Sequence, residues 1–176
     1  MPQPATASVD AGALSSPEVE ARILREQVDS MMRTSRSAAI GAFFIGLGFW
    51  TFAWYQTGHR GALLWAVLLH GCQFWRYAGY QRYLRTPDAA RHPRQAGIDY
   101  SNALVVNATI WGLAPWMFLP DDEPLVSALM MLVILGMSTG SIASLAPHRR
   151  ALLSFPIPAI LGLSARMLWQ GDAVHL

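Results

Sequence analysis

Ser37 to Tyr55 is a run of 19 residues without one charged side chain, and Leu125 to Ala146 repeats the pattern over 22. At 1.5 Å per residue the shorter run makes a helix of about 28 Å, close to a hydrocarbon core of roughly 30 Å. Inside such a core every backbone N–H and C=O must be satisfied within the segment, so a run of this kind folds as a helix. Three further apolar runs follow the same plan. Gly61 to Tyr80 carries His70 and Arg76 within an otherwise largely apolar run. Ile98 to Leu119 holds Asp99 and Asn102 at its start and Pro115 near its end. Ala151 to Trp169 contains Pro156 and Pro158, which kink it. The sequence therefore predicts an all-α polytopic membrane bundle of five transmembrane helices at about 37–55, 61–80, 98–119, 125–146 and 151–169.

Composition excludes most other classes. Hydrophobic residues make up 53% of the 176 and charged residues 14%, a membrane-protein balance rather than that of a soluble superfold enzyme. All 13 basic residues are arginine, and 11 acidic residues leave a net charge of +2. The arginines sit in short groups between apolar runs instead of on one solvated face, so no nucleic-acid partner is expected. A single cysteine, Cys72, offers neither a disulfide nor metal-ligand spacing and reads as a small core hydrophobe. No glycine-rich phosphate loop, nucleophile–histidine–acid order or metalloprotease motif is present. No catalytic residue, metal or cofactor is expected.

Residues 1–16, rich in Ala, Pro, Ser and Gly, are expected to be disordered. No cleavable signal peptide is expected, because the first apolar run comes too late and is too long. Ser16, Pro17 and Glu18 then mark a helix start. Val19, Ile23, Leu24, Val28, Met31 and Met32 recur at helical spacing opposite Arg22, Arg25, Glu26, Asp29 and Arg33. Residues 17–36 are predicted as an amphipathic helix, either on the membrane surface or a partner, or as a solvated lead-in to the first span. A polar loop is predicted from Gln81 to Gly97.

Eleven of the 13 arginines fall before span one, around the second connection or in the turn at 147–150. The positive-inside rule then puts the amino terminus in the cytoplasm and Gly171 to Leu176 outside. Trp50, Trp54, Trp65, Trp116 and Trp169 fall toward the outer span ends, and Trp75, Tyr77, Tyr80 and Tyr100 toward the inner ends, as interfacial belts do.

Two kinds of intramembrane residue stand out. Gly136, Gly140 and Ser144 share one face of span four, and Ala38, Ala42 and Gly46 one face of span one; small residues let helices approach closely. Polar groups are costly in lipid and face the bundle interior. Depth matching between antiparallel spans two and three pairs His70 with Asn107, and Arg76 with Asp99 and Asn102. This set, with Trp111, reads as a ligand site or switch, or alternatively as a clamp that fixes the helix pair. Arg166 is expected to snorkel to the outer interface. His59, His175, Asp121, Asp122, Glu123 and Asp172 would lie outside, at spacings that match no metal motif.

Several stretches together carry a resemblance: VEARILREQVDSMMRTS at 19–35, Phe74-Trp75-Arg76, Ile110-Trp111-Gly112-Leu113 with Pro120, and GMSTGSIASLAPHRRALLSFPIP at 136–158. From about residue 17 onward the chain resembles the multi-spanning amino-terminal sensory region of bacterial signalling proteins, the part that precedes histidine kinase, diguanylate cyclase or phosphodiesterase domains. The resemblance implies a multi-pass protein of the bacterial inner membrane, in contact with lipid. It implies a homodimer that passes a membrane or periplasmic signal to a cytoplasmic kinase or cyclase domain in the same chain or a partner. It also implies a sixth span beyond Gly171-Asp172. A standalone transporter or channel subunit is the alternative.

Overall fold

The computed structural model describes residues 16–58, 60–118 and 124–174; among them are six α-helices, one 3-10 turn and no strand. The expected disordered amino terminus and acidic turn therefore lie, but for Ser16 and Pro124, outside the described residues. So do His59 and His175, Asp121, Asp122 and Glu123, and the side chain of Asp172.

Helix α1 runs unbroken from Ser16 to Thr57, 42 residues that join the amphipathic lead-in to the first apolar run. No proline or glycine interrupts the chain between Pro17 and Gly41, so nothing stops the helix where its pattern changes. The lead-in does not lie free. Val28, Met31, Met32 and Ser35 are buried against this chain's own α2 and α3, a cover the amphipathic pattern did not name, while Val19 and Ile23 are exposed.

Helix α2 spans Gly61–Arg85 and α3 spans Pro93–Phe118, so the predicted loop of 81–97 shrinks to seven residues around a 3-10 turn at Asp88–Ala90. Arg91 closes that loop. Its guanidinium donates to the carbonyls of Thr86 (2.9 Å) and Leu84 (3.0 Å) and pairs with Asp88 at 2.7 Å. Helix α4 covers Pro124–Leu145, and the last apolar run is broken into α5 (Arg149–Ser154) and α6 (Pro156–Val174) at Phe155, where Pro156 ends the helical hydrogen bonding as its sequence position predicts.

Helix α3 is the centre of the bundle and packs on α1, α2, α5 and α6, while α4 closes the far side against α1 and α6. Directions follow from the contacts. Ala42 meets Gln73 and Phe49 meets Trp65, so α1 and α2 are antiparallel. Trp65 meets Ile110 and Arg76 meets Tyr100, so α2 and α3 are antiparallel too. Asn102 meets Arg150 and Trp116 meets Gly162, so the α5–α6 pair runs parallel to α3. The tightest approach is between α3 and α6. A Cβ on Gly112 would stand 2.7 Å from the Pro158 carbonyl oxygen, and one on Gly162 would overlap the Gly112 backbone.

Three helical stretches, Pro17–Thr57, Leu125–Leu145 and Arg149–Gly171, are long and apolar enough to cross a membrane. By that measure α2 and α3 do not qualify, so of the five expected transmembrane helices three are supported by length and apolarity and five are not. His70, Gln73 and Arg76 on α2, and Ser101, Asn102 and Asn107 on α3, dilute runs that are otherwise apolar.

His148 starts α5. Its Nδ1 accepts the Ala151 N–H at 3.3 Å, and its ring sits against Gly97, where a Cβ would come within 3.0 Å. Only the neutral imidazole has a lone pair for that cap. Burial, then the Arg150 charge, hold its pKa below the usual 6.5. A base whose pKa is lowered by folding contributes fully above pH 6.5 and loses that contribution as pH falls. Unfolding followed at pH 7.5 and pH 5 should show His148→Ala costing about 1 kcal/mol at the higher pH only, while His148→Asn keeps the cap and removes the pH dependence.

Candidate functional site

Helix α2 is keyed to its neighbours by three side-chain bonds to backbone carbonyls. Trp65 Nε1 donates to Ile110 O (2.8 Å), Cys72 Sγ to Ala103 O (3.8 Å) and Gln73 Nε2 to Ala42 O (3.2 Å). These bonds set which way Arg76 points. Its Nη2 donates to the Tyr100 hydroxyl at 2.9 Å, with the guanidinium carbon 5.2 Å from the Tyr100 ring centre. The predicted bridge from Arg76 to Asp99 and Asn102 is thus not formed. At 100° per residue the inward face of α3 carries Tyr100, Leu104, Asn107 and Trp111, and Asp99 and Asn102 lie off it. Both are exposed: Asp99 accepts from Gln95 at 2.7 Å and Asn102 from Arg150 at 3.0 Å.

The His70–Asn107 pair is not formed either. His70 turns to α1, its ring centre 4.8 Å from that of Phe43, and neither ring nitrogen has a hydrogen-bond partner. Asn107 is 1% exposed and stands beside the Cys72 thiol rather than His70, its amide without a nitrogen or oxygen partner. Trp111 is fully buried beside Phe49 (5.5 Å) and Trp65 (5.0 Å, nearly perpendicular), with Phe118 completing the cluster. Trp65, Tyr80 and Tyr100, expected at the interface, are buried as well, whereas Trp54, Trp75, Trp116 and Trp169 are exposed. Trp116 lies 5.9 Å below the Arg166 guanidinium.

No family model, curated protein or solved structure matches this chain. The functional reading therefore rests on two cavities that meet at Arg76 and Tyr100. The larger, about 450 Å³, lies between the ends of α2 and α3 and the lead-in of α1, lined by Met32, Trp75, Arg76, Arg82, Tyr83, Arg91, Gln95, Asp99, Tyr100 and Asn102. Arg76, Asp99 and Asn102 thus share one pocket without touching one another. The smaller, about 190 Å³, is lined by Arg76, Tyr100, Leu104 and Asn107 and by small residues of α1 and α4, among them Ala38, Ala42, Gly136, Gly140 and Ser144. Those residues border open space: a Cβ on Gly136 or Gly140 would meet nothing within 4 Å. Gly46 is different, because a Cβ there would press on Leu69 of α2 at 2.8 Å. Among the described residues no group of His, Cys, Asp and Glu could hold a metal ion.

Sequence reasoning missed Tyr100 as the partner of Arg76, although its spacing to Leu104, Asn107 and Trp111 placed it on the inward face. It also missed the lock on the lead-in. The Tyr83 hydroxyl donates to Asp29 at 2.6 Å, Arg91 stands 3.9 Å from the same carboxylate, and Arg25 donates to the Asp88 carbonyl. Burial foremost, and then the Asp29 carboxylate, push the Tyr83 phenol well above its usual 10. An acid whose pKa is raised by folding contributes fully below pH 10 and loses that contribution as pH rises. Limited proteolysis within residues 17–36 should accelerate above pH 10 in the native protein. Tyr83→Phe should already be faster at pH 7, having lost about 1.5 kcal/mol of a hydrogen bond to a charged acceptor.

Proposed function

We propose that this chain is a five-span sensory input module of a bacterial inner-membrane signalling protein. It passes a membrane-borne or small-molecule signal to a cytoplasmic histidine kinase or cyclic di-GMP output domain, in the same chain or a partner, as a homodimer. The observation that carries this reading is the one-sided pocket. Polar groups gather where the arginines cluster, and the Phe49, Trp65, Trp111 and Phe118 cluster fills the bundle beyond Asn107. Such a cavity can bind, and the aromatic cluster beyond it weighs against the transporter alternative, which needs polar residues along a continuous path.

Five crossings are supported by what α2 and α3 expose. Leu64, Val67, Leu68 and Phe74 of α2 are more than half exposed, and Leu113 of α3 is 51% exposed, although both helices carry polar residues inward. An outer apolar face around an inner polar one is the arrangement lipid demands. Alternating helix directions fit successive crossings.

Topology reporters fused after residue 90 decide the count. Five crossings put that site in the cytoplasm, whereas crossings by α1, α4 and α5–α6 alone put it outside. For signalling, Arg76→Ala in the native protein should shift histidine phosphorylation or cyclic di-GMP level, and Arg33→Ala, on an exposed position, should not. Unchanged output from normally abundant Arg76→Ala protein would defeat the sensory reading.

A further inference from the structure

The smaller cavity has a polar end whose groups are left unsatisfied. Asn107, 1% exposed, turns an amide with no nitrogen or oxygen partner toward it, and the Nε of half-buried Arg76 is sealed from solvent without one. Among the described residues Arg76 makes no ion pair. A buried amide whose one polar neighbour is the Cys72 thiol and a partly buried cation without a counter-ion are both improved by an acceptor that carries negative charge. The other end is apolar and narrow, walled by Gly41 and Ile45 of α1 and Gly136 and Gly140 of α4. A Cβ on Gly41, Gly136 or Gly140 would meet nothing within 4 Å, so the cleft between the two helices is unfilled.

We infer that this cavity binds a single-chain amphiphile with a carboxylate head, a fatty-acid-like lipid drawn from the surrounding membrane. The carboxylate accepts from Arg76 Nε and Asn107 Nδ2, charge-assisted bonds of the strong kind, and the chain leaves between α1 and α4. Size favours one chain over a phospholipid. A volume of about 190 Å³ equals roughly six waters, enough for a carboxylate and its first methylenes but not for a glycerophosphate bearing two chains. The inference rests on the membrane reading above and names the ligand class for it. Because Arg76 and Tyr100 also wall the larger pocket, a head bound at Arg76 Nε sits on the same guanidinium whose Nη2 donates to Tyr100, and so borders the cytoplasmic-end pocket.

The test is photolabelling of the full chain in phosphatidylcholine nanodiscs with a diazirine-bearing palmitate, followed by peptide mapping. Label should fall on the α4 segment 136–144 and be competed by palmitate. Arg76→Gln and Asn107→Leu should each lower labelling about tenfold. Gly140→Leu, which fills the cleft and leaves both head-group residues intact, should lower it similarly. Labelling that is indifferent to Arg76→Gln and Gly140→Leu would overturn the inference. So would methyl palmitate or butyrate competing as well as palmitate, since the first lacks the charge and the second the chain. A chain that inserts with residue 90 on the cytoplasmic side yet takes no label defeats this inference alone. A chain that does not enter the bilayer defeats the membrane reading beneath it.

Discussion

Gly162→Leu is expected to lose about 3 kcal/mol or more of stability in detergent-titrated unfolding followed by far-UV circular dichroism. The side chain has nowhere to go. Gly162 lies against the Gly112 backbone, and Gly112 in turn lies against the Pro158 carbonyl, so the contact is backbone on backbone with no rotamer to yield. Overpacking a close interface costs about 1–3 kcal/mol where side chains can adjust and more where they cannot. Pushing α6 outward would also break the Trp116 indole bond to the Gly162 carbonyl at 3.1 Å. Gly136→Ala is the matched control. Its Cβ meets open space, so its stability should change by less than about 1 kcal/mol, in the direction of a gain from helix propensity. Equal losses in the two variants would mean that α3 and α6 are not in backbone contact.

Trp111→Ala should cost about 3 kcal/mol in the same assay. Truncating a buried Trp or Phe to Ala costs roughly 3–5 kcal/mol in a water-soluble core. Between membrane helices the transfer share shrinks, because lipid is as apolar as the protein interior, and lost packing around the void remains. Phe49, Trp65 and Phe118 would all border that void. Trp111→Phe should lie within about 1 kcal/mol of the native protein. The indole N–H of Trp111 has no hydrogen-bond partner, so its removal offsets part of the lost volume. A Phe variant as damaged as the Ala variant would mean that the indole nitrogen holds a bond after all.

How legible this architecture is from the residues alone depends on which coordinate is asked for. Position along the chain and depth are written in runs of apolar residues, and the Ser37–Tyr55, Leu125–Ala146 and Ala151–Trp169 runs match helical stretches that can cross a membrane. Depth also brings Arg76 to the level of residues 99–102. Azimuth is not written that way. One residue turns a helix by 100°, so Tyr100 reaches Arg76 while Asp99 and Asn102 face elsewhere, and His70 turns to Phe43 while Asn107 at similar depth meets Cys72. Small-residue spacing has a similar gap. Gly136, Gly140 and Ser144 do line up, but whether the missing side chains admit another backbone or leave a hollow depends on what stands opposite, and it is Gly112 and Gly162 that admit one. The docked lead-in was hidden because amphipathicity records that a face will be covered without recording by what.

The unbroken course of α1 has a mechanical consequence. At 1.5 Å per residue its 42 residues form a rod of about 63 Å, with Gly46 wedged against α2 and Val28, Met31 and Met32 seated beside α2 and α3. A helix without a hinge cannot absorb a rotation locally. Any tilt of about 10° about its midpoint would sweep each end through about 5 Å, so a sub-ångström adjustment beside the α1–α4 cleft arrives at Ser16 as a leverage-multiplied displacement.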